Sequence, residues 1–402
     1  MQAYHFVILL FVGYLIFTLD KKKQNVPVPV ILVLIGIGCS FVPFFDDVMV
    51  TKEIIYEIFL PALLFISAYR FPTKALKENA VLIGLMSTVG LLLTTILLGI
   101  SIYLVCELLF PVSIVGALLM ASMLTPTDPV SVTSILKQSG SNPRIADVVE
   151  GESMINDGTS IVLFTVFTSM YISNTPFSIF RFMNEFITVS LGGIVIGVSL
   201  GWAVSKAVHV THHKQYQVML SIILTYGTFF IAEHLHVSGV LATVAAGIML
   251  SYEFEHTNKE DHFRESLAGF WDIVEPSILS LVFLLIGIKA TSYLTIASWQ
   301  VAFILFAATL LVRFLVISVL IPLVPKWRNQ SSWKDIFIIN WAGIKGTMSI
   351  ALLLSLESQL GTQEQRLLAI TFAVVLLSLV IQSVGIYPIT RFFEKNKVFK
   401  DM

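Results

Sequence analysis

Apolar runs of about twenty residues, long enough to cross a bilayer as a helix, follow one another along nearly the whole chain, and charged residues gather in the gaps. In hydrocarbon every backbone N–H and C=O must be satisfied within the protein, so such runs are restricted to helices packed on helices. Composition agrees: 56% of the residues are hydrophobic and 13% charged, where a soluble domain carries about 25% charged residues. The longest polar stretch, 251–272, suffices for a loop and an amphipathic helix, not for a separate soluble domain. A net charge of −1 leaves no basic footprint for nucleic acid. There is no P-loop, Gly-x-Ser-x-Gly, His-Glu-x-x-His, haem or flavin signature. The chain reads as an all-α polytopic membrane protein, not an enzyme, with no cofactor.

The runs predict about thirteen helices in a single transmembrane domain, near 4–19, 27–43, 53–69, 79–108, 112–136, 147–172, 181–206, 216–234, 237–251, 272–290, 297–323, 334–357 and 364–393. The first is a retained helix: Lys21, Lys22 and Lys23 follow its apolar core and nothing basic precedes it, the reverse of a signal peptide. Loop charges set the orientation. Nineteen Lys and Arg residues fall in alternate loops and the C-terminal tail, from Lys21 through to Lys400. Four fall on the other side, Lys52, Arg181, Lys289 and Arg366. The positive-inside rule then puts the N-terminus outside and the C-terminus inside. Cys39 and Cys106 both lie in apolar helices and are expected as free buried thiols.

Two helices carry interruptions. The fifth contains Thr125-Pro126-Thr127-Asp128-Pro129, where two prolines remove backbone donors and clash with preceding carbonyls. The twelfth contains Trp341-Ala342-Gly343-Ile344-Lys345-Gly346-Thr347, a weaker interruption flanked by glycines. Helices five and twelve are seven apart, and an odd offset reverses direction through the membrane. Two inverted repeats, 1–172 and 216–393 with helix 181–206 as linker, would bring both breaks together at the midplane. That is where secondary transporters bind substrate.

Five ionisable residues stand inside apolar helices: Asp128, Glu152, Asp157, Arg313 and Lys345. A charge at this depth costs about 2.5–3.5 kcal/mol on insertion scales, so such residues face a protein interior or a watery path. Along helix six, Ser153 and Asp157 share one stripe (i, i+4), and Glu152 and Asn156 share its neighbour. A small hard cation takes several oxygens. Asp157, Ser153, Asp128 and the carbonyl of Thr127 freed by the break are the candidates to supply them. Asp128 has a second reading as the N-cap of the helix that resumes after the break. Arg313 needs an acidic partner, and Glu152 is the candidate, in a structural ion pair that leaves Asp157 free. Lys345 either fixes the second break or balances charge around the site. Glu233, near the end of helix eight, reads as a snorkelling or helix-end group, and His209, His212 and His213 as a solvated basic loop.

Taken together, Thr127-Asp128-Pro129, Glu152-Ser153 with Asn156-Asp157, the lone Arg313 and Gly343-Ile344-Lys345-Gly346 resemble the sodium/proton exchanger branch of the monovalent cation–proton antiporters. The NhaP-like bacterial members are the most similar, and the resemblance runs in order over essentially the whole chain. It implies a thirteen-helix homodimer with a dimerisation domain and a mobile core, and broken helices crossing beside Asp157 as the ion-binding carboxylate. It also implies Asp128, Thr127 and Ser153 completing the site, and Glu152 paired with Arg313. An Asn before the Asp, as in Asn156-Asp157, goes with electroneutral members. Two positions depart from the pattern: Lys345 stands where relatives usually carry Arg, and Ile66 where many carry an acid.

The expected function is therefore secondary antiport of a monovalent cation against H⁺, with Na⁺ ahead of Li⁺ and K⁺, in the cytoplasmic membrane. Asp157 would bind cation or proton in competition. The rival readings are a cation channel and an organic-anion symporter of similar inverted-repeat fold.

Overall fold

The structure, a computed structural model, describes residues 3–20, 27–48, 50–107, 112–128, 136, 143–173, 178–210, 213–256, 261–360 and 364–398. Lys21 to Lys23, Pro129, Lys137, His212, Lys259 and Lys400, named above, lie outside these residues. Helices account for almost everything described: α1 (Ala3–Asp20), α2 (Val28–Cys39), α3 (53–70), α4 (Thr73–Glu107), α5 (Ile114–Leu124), α6 (Pro143–Ser173) and α7 (Ile179–Val210). They continue as α8 (Lys214–His234), α9 (Gly239–His256), α10 (Asp261–Leu294), α11 (Trp299–Leu323), α12 (Trp333–Trp341), α13 (Thr347–Leu360) and α14 (365–398). Six long helices among the described residues are apolar enough to cross a membrane, in α4, α7, α8, α10, α11 and α14. Shorter apolar segments lie in α1, α2, α5 and α13.

Local chemistry sets several boundaries. Ser113 caps α5 by accepting the Gly116 N–H at 3.0 Å. Ser332 and Asp335 form a capping box at the start of α12. Three helices contain π-helical turns: Glu53–Phe59 opens α3, Met86–Gly90 interrupts α4 and Ser378–Gln382 interrupts α14. A π turn leaves carbonyls out of register with their usual donors, and such turns gather at functional sites. In α4 the carbonyl of Ser87 is taken by the Thr159 hydroxyl of α6, at 2.7 Å.

Two expected boundaries move. The fourth helix begins at Thr73 rather than near 79, because the Thr73–Leu85 helix continues without a break into the apolar run. The tenth begins at Asp261 rather than near 272, and the polar 261–271 portion is the first part of one helix that runs on past Pro276. The twelfth helix, expected with an interruption, consists of α12 and α13, separated by an irregular 342–346.

The helices pack as two groups. α7, α8, α9 and α3 pack successively on one another, and α10 joins them with α2 and α1. Their centre holds Phe65, Ile66, Leu224, Ala246 and Trp271. α4, α5 and α6 pack with α11, α12, α13 and α14 as the second group. The two meet where α6 packs on α7 and α9, and where α10 packs on α13 and α14. At that boundary Lys289 of α10 pairs with Glu357 of α13 at 3.1 Å, and Thr73 donates to Glu255.

Candidate functional site

The two interruptions meet inside the second group. α5 stops at Leu124, and 125–128 are irregular. α12 stops at Trp341, and α13 restarts at Thr347. The Asp128 N–H donates to the Ile344 carbonyl at 2.7 Å, so one irregular backbone supplies a donor that satisfies the other. The Asp128 carboxylate then accepts from both the N–H and the hydroxyl of Thr347, each at 3.2 Å. Asp128 thus caps α13, across the crossing. Its expected target, the helix resuming after Pro129, lies outside the described residues.

The glycines around Lys345 have a physical reason. A Cβ on Gly346 would collide with the Asp128 side chain, and one on Gly343 would collide with the Arg313 guanidinium. Charged groups from the irregular stretch after α5 and from α11 fill the space that those side chains would need.

α14 braces the second interruption through its π turn. Ser378 accepts the Lys345 N–H at 2.9 Å and itself donates to Gln382. The Gln382 amide donates to the Trp341 carbonyl at 2.8 Å, and the Trp341 indole donates to the Gln382 carbonyl at 3.0 Å. Carbonyls and N–H groups released by the break therefore find side-chain and backbone partners within the protein, as irregular backbone at this depth requires.

α6 closes the site from the side. Ser153 donates to the Thr127 carbonyl. Asn156 donates to the Thr127 hydroxyl at 2.9 Å and accepts the Thr127 N–H at 3.5 Å. Asp157, one residue on, is 6% exposed and an electrostatic neighbour of Asp128. Its Oδ1 is buried without a hydrogen-bond partner. A buried carboxylate oxygen with no side-chain or backbone partner is open to a proton or a cation.

Glu152 and Arg313, 3% and 6% exposed, pair through both prongs at 2.8 and 2.7 Å. Beside them lies a cavity of ≈10 Å³ whose lining includes Thr94, Thr125, Asn156 and Arg313, about the space of one water. Lys345, 3% exposed, points its ammonium at the Thr125 carbonyl, 3.5 Å away. It reaches from the second break back to the first.

The sequence-predicted site residues therefore come to one crossing: Thr127, Asp128, Glu152, Ser153, Asn156, Asp157, Arg313 and Lys345. The geometry divides them. Glu152 and Arg313 are engaged with each other, and Thr127, Ser153 and Asn156 tie α6 to the first break. Asp157 alone among the acids keeps a buried oxygen unpaired. Trp341 and Thr347, the ends of the second interrupted stretch, also belong to the crossing, and so do Ser378 and Gln382, which sequence reasoning passed over. Ser378 and Gln382, four apart in an apolar helix, carried the available signal.

Glu233 accepts the Gly239 N–H at 3.0 Å and the Tyr56 hydroxyl at 3.4 Å, a helix-end contact. Ile66 is buried in the apolar centre of the other group and brings no polar atom there. Cys39 and Cys106 are free thiols. The His213 backbone carbonyl accepts from Tyr216 at the start of α8.

A profile of the transmembrane sodium/hydrogen exchanger family matches residues 6–392. The chain is similar to the Na⁺/H⁺ antiporter NhaP of Pseudomonas aeruginosa, 32% identical over 348 residues that cover 85% of this chain and 81% of that one. It is also 32% identical over 405 residues to the Na⁺/H⁺ antiporter NhaG of Bacillus atrophaeus, covering 98% of this chain and 75% of the relative. In fold it resembles the sodium proton antiporter MjNhaP1 of Methanocaldococcus jannaschii, with a TM-score of 0.76, 18% identity, and 96% and 97% of the two chains covered.

Proposed function

Since the chain belongs to the sodium/hydrogen exchanger family, we propose that it is a secondary antiporter that exchanges Na⁺ for H⁺ across a membrane. The observation that carries this is the unpaired, buried Oδ1 of Asp157, which has Asp128 as its electrostatic neighbour and stands one turn along α6 from Ser153, the residue that meets the Thr127 carbonyl. A carboxylate in that setting takes either a cation or a proton, and one occupant excludes the other. An empty, charged site is costly to move through a low-dielectric interior, so the site crosses only when loaded. That restriction couples the two fluxes.

The residues take distinct parts. Asp157 holds cation or proton, and Asp128, Ser153 and the Thr127 carbonyl complete the cation's oxygen shell. Asn156 orients Thr127. Glu152 and Arg313 form a structural pair that joins α6 to α11. Lys345 spans the two breaks and offsets the acids. Movement is a rocking of the α4–α6 and α11–α14 group against the other, and the polar contacts at the boundary between the groups are remade with each cycle. We take the two interruptions as corresponding parts of inverted repeats, 1–172 and 216–393. The protein works as a homodimer in the cytoplasmic membrane with its N-terminus outside. Exchange is one for one, so the roughly 2.3 kcal/mol per charge per 100 mV of membrane potential drops out.

An anion symporter needs unoccupied basic groups or free helix N-termini. Here Arg313 is held by Glu152, and the N-terminus of α13 is capped by Asp128. The antiport reading is therefore the one the geometry supports best.

The test is proton efflux from acid-loaded proteoliposomes on addition of Na⁺, Li⁺ or K⁺, with wild type and Asp157→Asn. Cation-driven alkalinisation in the wild type that is absent in the variant is expected. Full activity in the variant, or proton movement with none of the three cations, would overturn the assignment. Competition for one carboxylate also fixes a sign: where Asp157 is mostly protonated, each unit fall in pH raises the half-saturating cation concentration about tenfold.

A further inference from the structure

A second polar cavity, of ≈390 Å³, lies at the C-terminal end of α6, where the last turns of α6 and α8 face α13 and the start of α3. It has room for about a dozen waters at ~30 Å³ each. Its α6 lining includes Ile161, Thr165, Thr168 and Ile172. With Asp157 these recur at helical spacing along one stripe (i, i+4, i+8, i+11, i+15). The cavity thus begins one turn, about 6 Å, beyond Asp157 and widens away from it.

Two of its groups remain chemically available. Glu233 receives both of its hydrogen bonds, from Gly239 and Tyr56, on Oε1. Among the described residues it makes no ion pair. The nearby cation, Lys52, is held over the Tyr56 ring at 5.5 Å from its centroid. Thr168 is 4% exposed, and its Oγ1 is buried with no hydrogen-bond partner. A carboxylate with an open oxygen and an unused hydroxyl, both lining this one cavity, are hard ligands for a hard ion.

We propose that this cavity is a recruitment site, in which Glu233 and Thr168 hold a partly hydrated monovalent cation before it passes Ile161 to reach Asp157. Lys52 opposes it, as a tethered positive charge competing for the same carboxylate. The site rests on the antiport reading and adds to it an entry step on one face only, the face that loop charges assign to the outside.

The experiment measures half-saturating Na⁺ with the ion added to one face at a time, in vesicles of both orientations. Glu233→Gln keeps an acceptor for Gly239 and Tyr56 while removing the charge. It is expected to raise half-saturating Na⁺ about three- to tenfold on the cavity face, with maximal rate and the opposite face unchanged. Thr168→Val shifts it the same way by less. Lys52→Gln lowers it, a change of opposite sign that a general structural defect does not produce. Added choline chloride narrows the difference between wild type and Glu233→Gln, because it screens the attraction. Equal values for wild type and all three variants, or equal shifts on both faces, overturn the proposal. Wild-type vesicles that exchange normally while the variants show no shift reject the recruitment site alone, whereas wild-type vesicles without exchange reject the antiport reading itself.

Discussion

The seam between α7 and α9 and the crossing of the two interrupted helices both bring backbones together at membrane depth, and they are closed by opposite means. Along α7, Gly193, Gly197 and Gly201 recur every fourth residue and face Ser238, just before α9, and Ala242 and Ala246 within it, which recur with the same spacing. A Cβ on Gly193 would lie 2.5 Å from the Ser238 carbonyl oxygen, one on Gly201 2.9 Å from that of Ala246, and one on Gly197 closer still to that of Ala242. α2 and α10 repeat the device at Gly36 and Gly287, where a Cβ on either would come within 2.9 Å of the other's Cα. Helices in lipid associate largely through such close packing of small residues, since lipid tails are as apolar as the helix faces. At the crossing the contact is made instead by Asp128, Thr347, Asn156, Ser153 and the Glu152–Arg313 pair. The seam has one geometry, fixed by absent side chains. The crossing is held by groups that can exchange partners, which an alternating-access site requires.

The largest effect expected from this contrast is at the seam. Gly197→Leu drives a branched side chain into the backbone of α9, with no flexible neighbour to give way. Overpacking in an adaptable core costs about 1–3 kcal/mol, and here the loss should exceed that range, leaving little monodisperse protein on detergent size-exclusion. Gly201→Ala, whose contact is looser, should be recovered with a lowered melting temperature. If Gly197→Leu purifies and melts like wild type, the seam is not the rigid element described.

The next effect lies at the crossing and is non-additive. Arg313→Met strands the Glu152 carboxylate in a buried site, and breaking one side of a buried pair costs about 3–5 kcal/mol. Glu152→Met combined with Arg313→Met removes both charges and should restore much of the lost stability. Thermal melts of the two single variants and the double variant measure this directly. Equal destabilisation in the double and the singles would mean that the pair is held by packing rather than charge.

Legibility in the sequence follows the same division. Apolar runs gave the helices, prolines and glycines gave the two interruptions, and the five stranded charges gave the candidate site, because each stands out locally in a strongly patterned chain. Glu152 and Arg313 were matched because a buried guanidinium leaves few options. What stayed hidden depends on distant partners. Asp128 sits where it would cap its own helix, and nothing local says that it also caps α13. Ser378 and Gln382 matter because a π turn aims them at the second break, and a π turn leaves no mark in a twenty-residue apolar run. Glu233 reads as a helix-end group and is one. Its place beside Thr168 emerges only when α8 is packed near α6.

The smallest stability effect is expected at the residue with the largest functional one. Asp157→Asn removes a charge whose Oδ1 makes no hydrogen bond, so the fold loses no contact there. Relieving a buried charge offsets what the new amide leaves unpaired, and the net change should stay within about 1 kcal/mol. Exchange should nevertheless disappear, because an amide neither neutralises a cation nor carries a proton between faces. Measured together on one preparation, an unchanged melt and absent transport would place Asp157 apart from Glu152, its near neighbour on α6. A loss of several kcal/mol would instead put Asp157 among the groups that hold the crossing together, and the cation-binding role would pass to Asp128, whose carboxylate already meets α13.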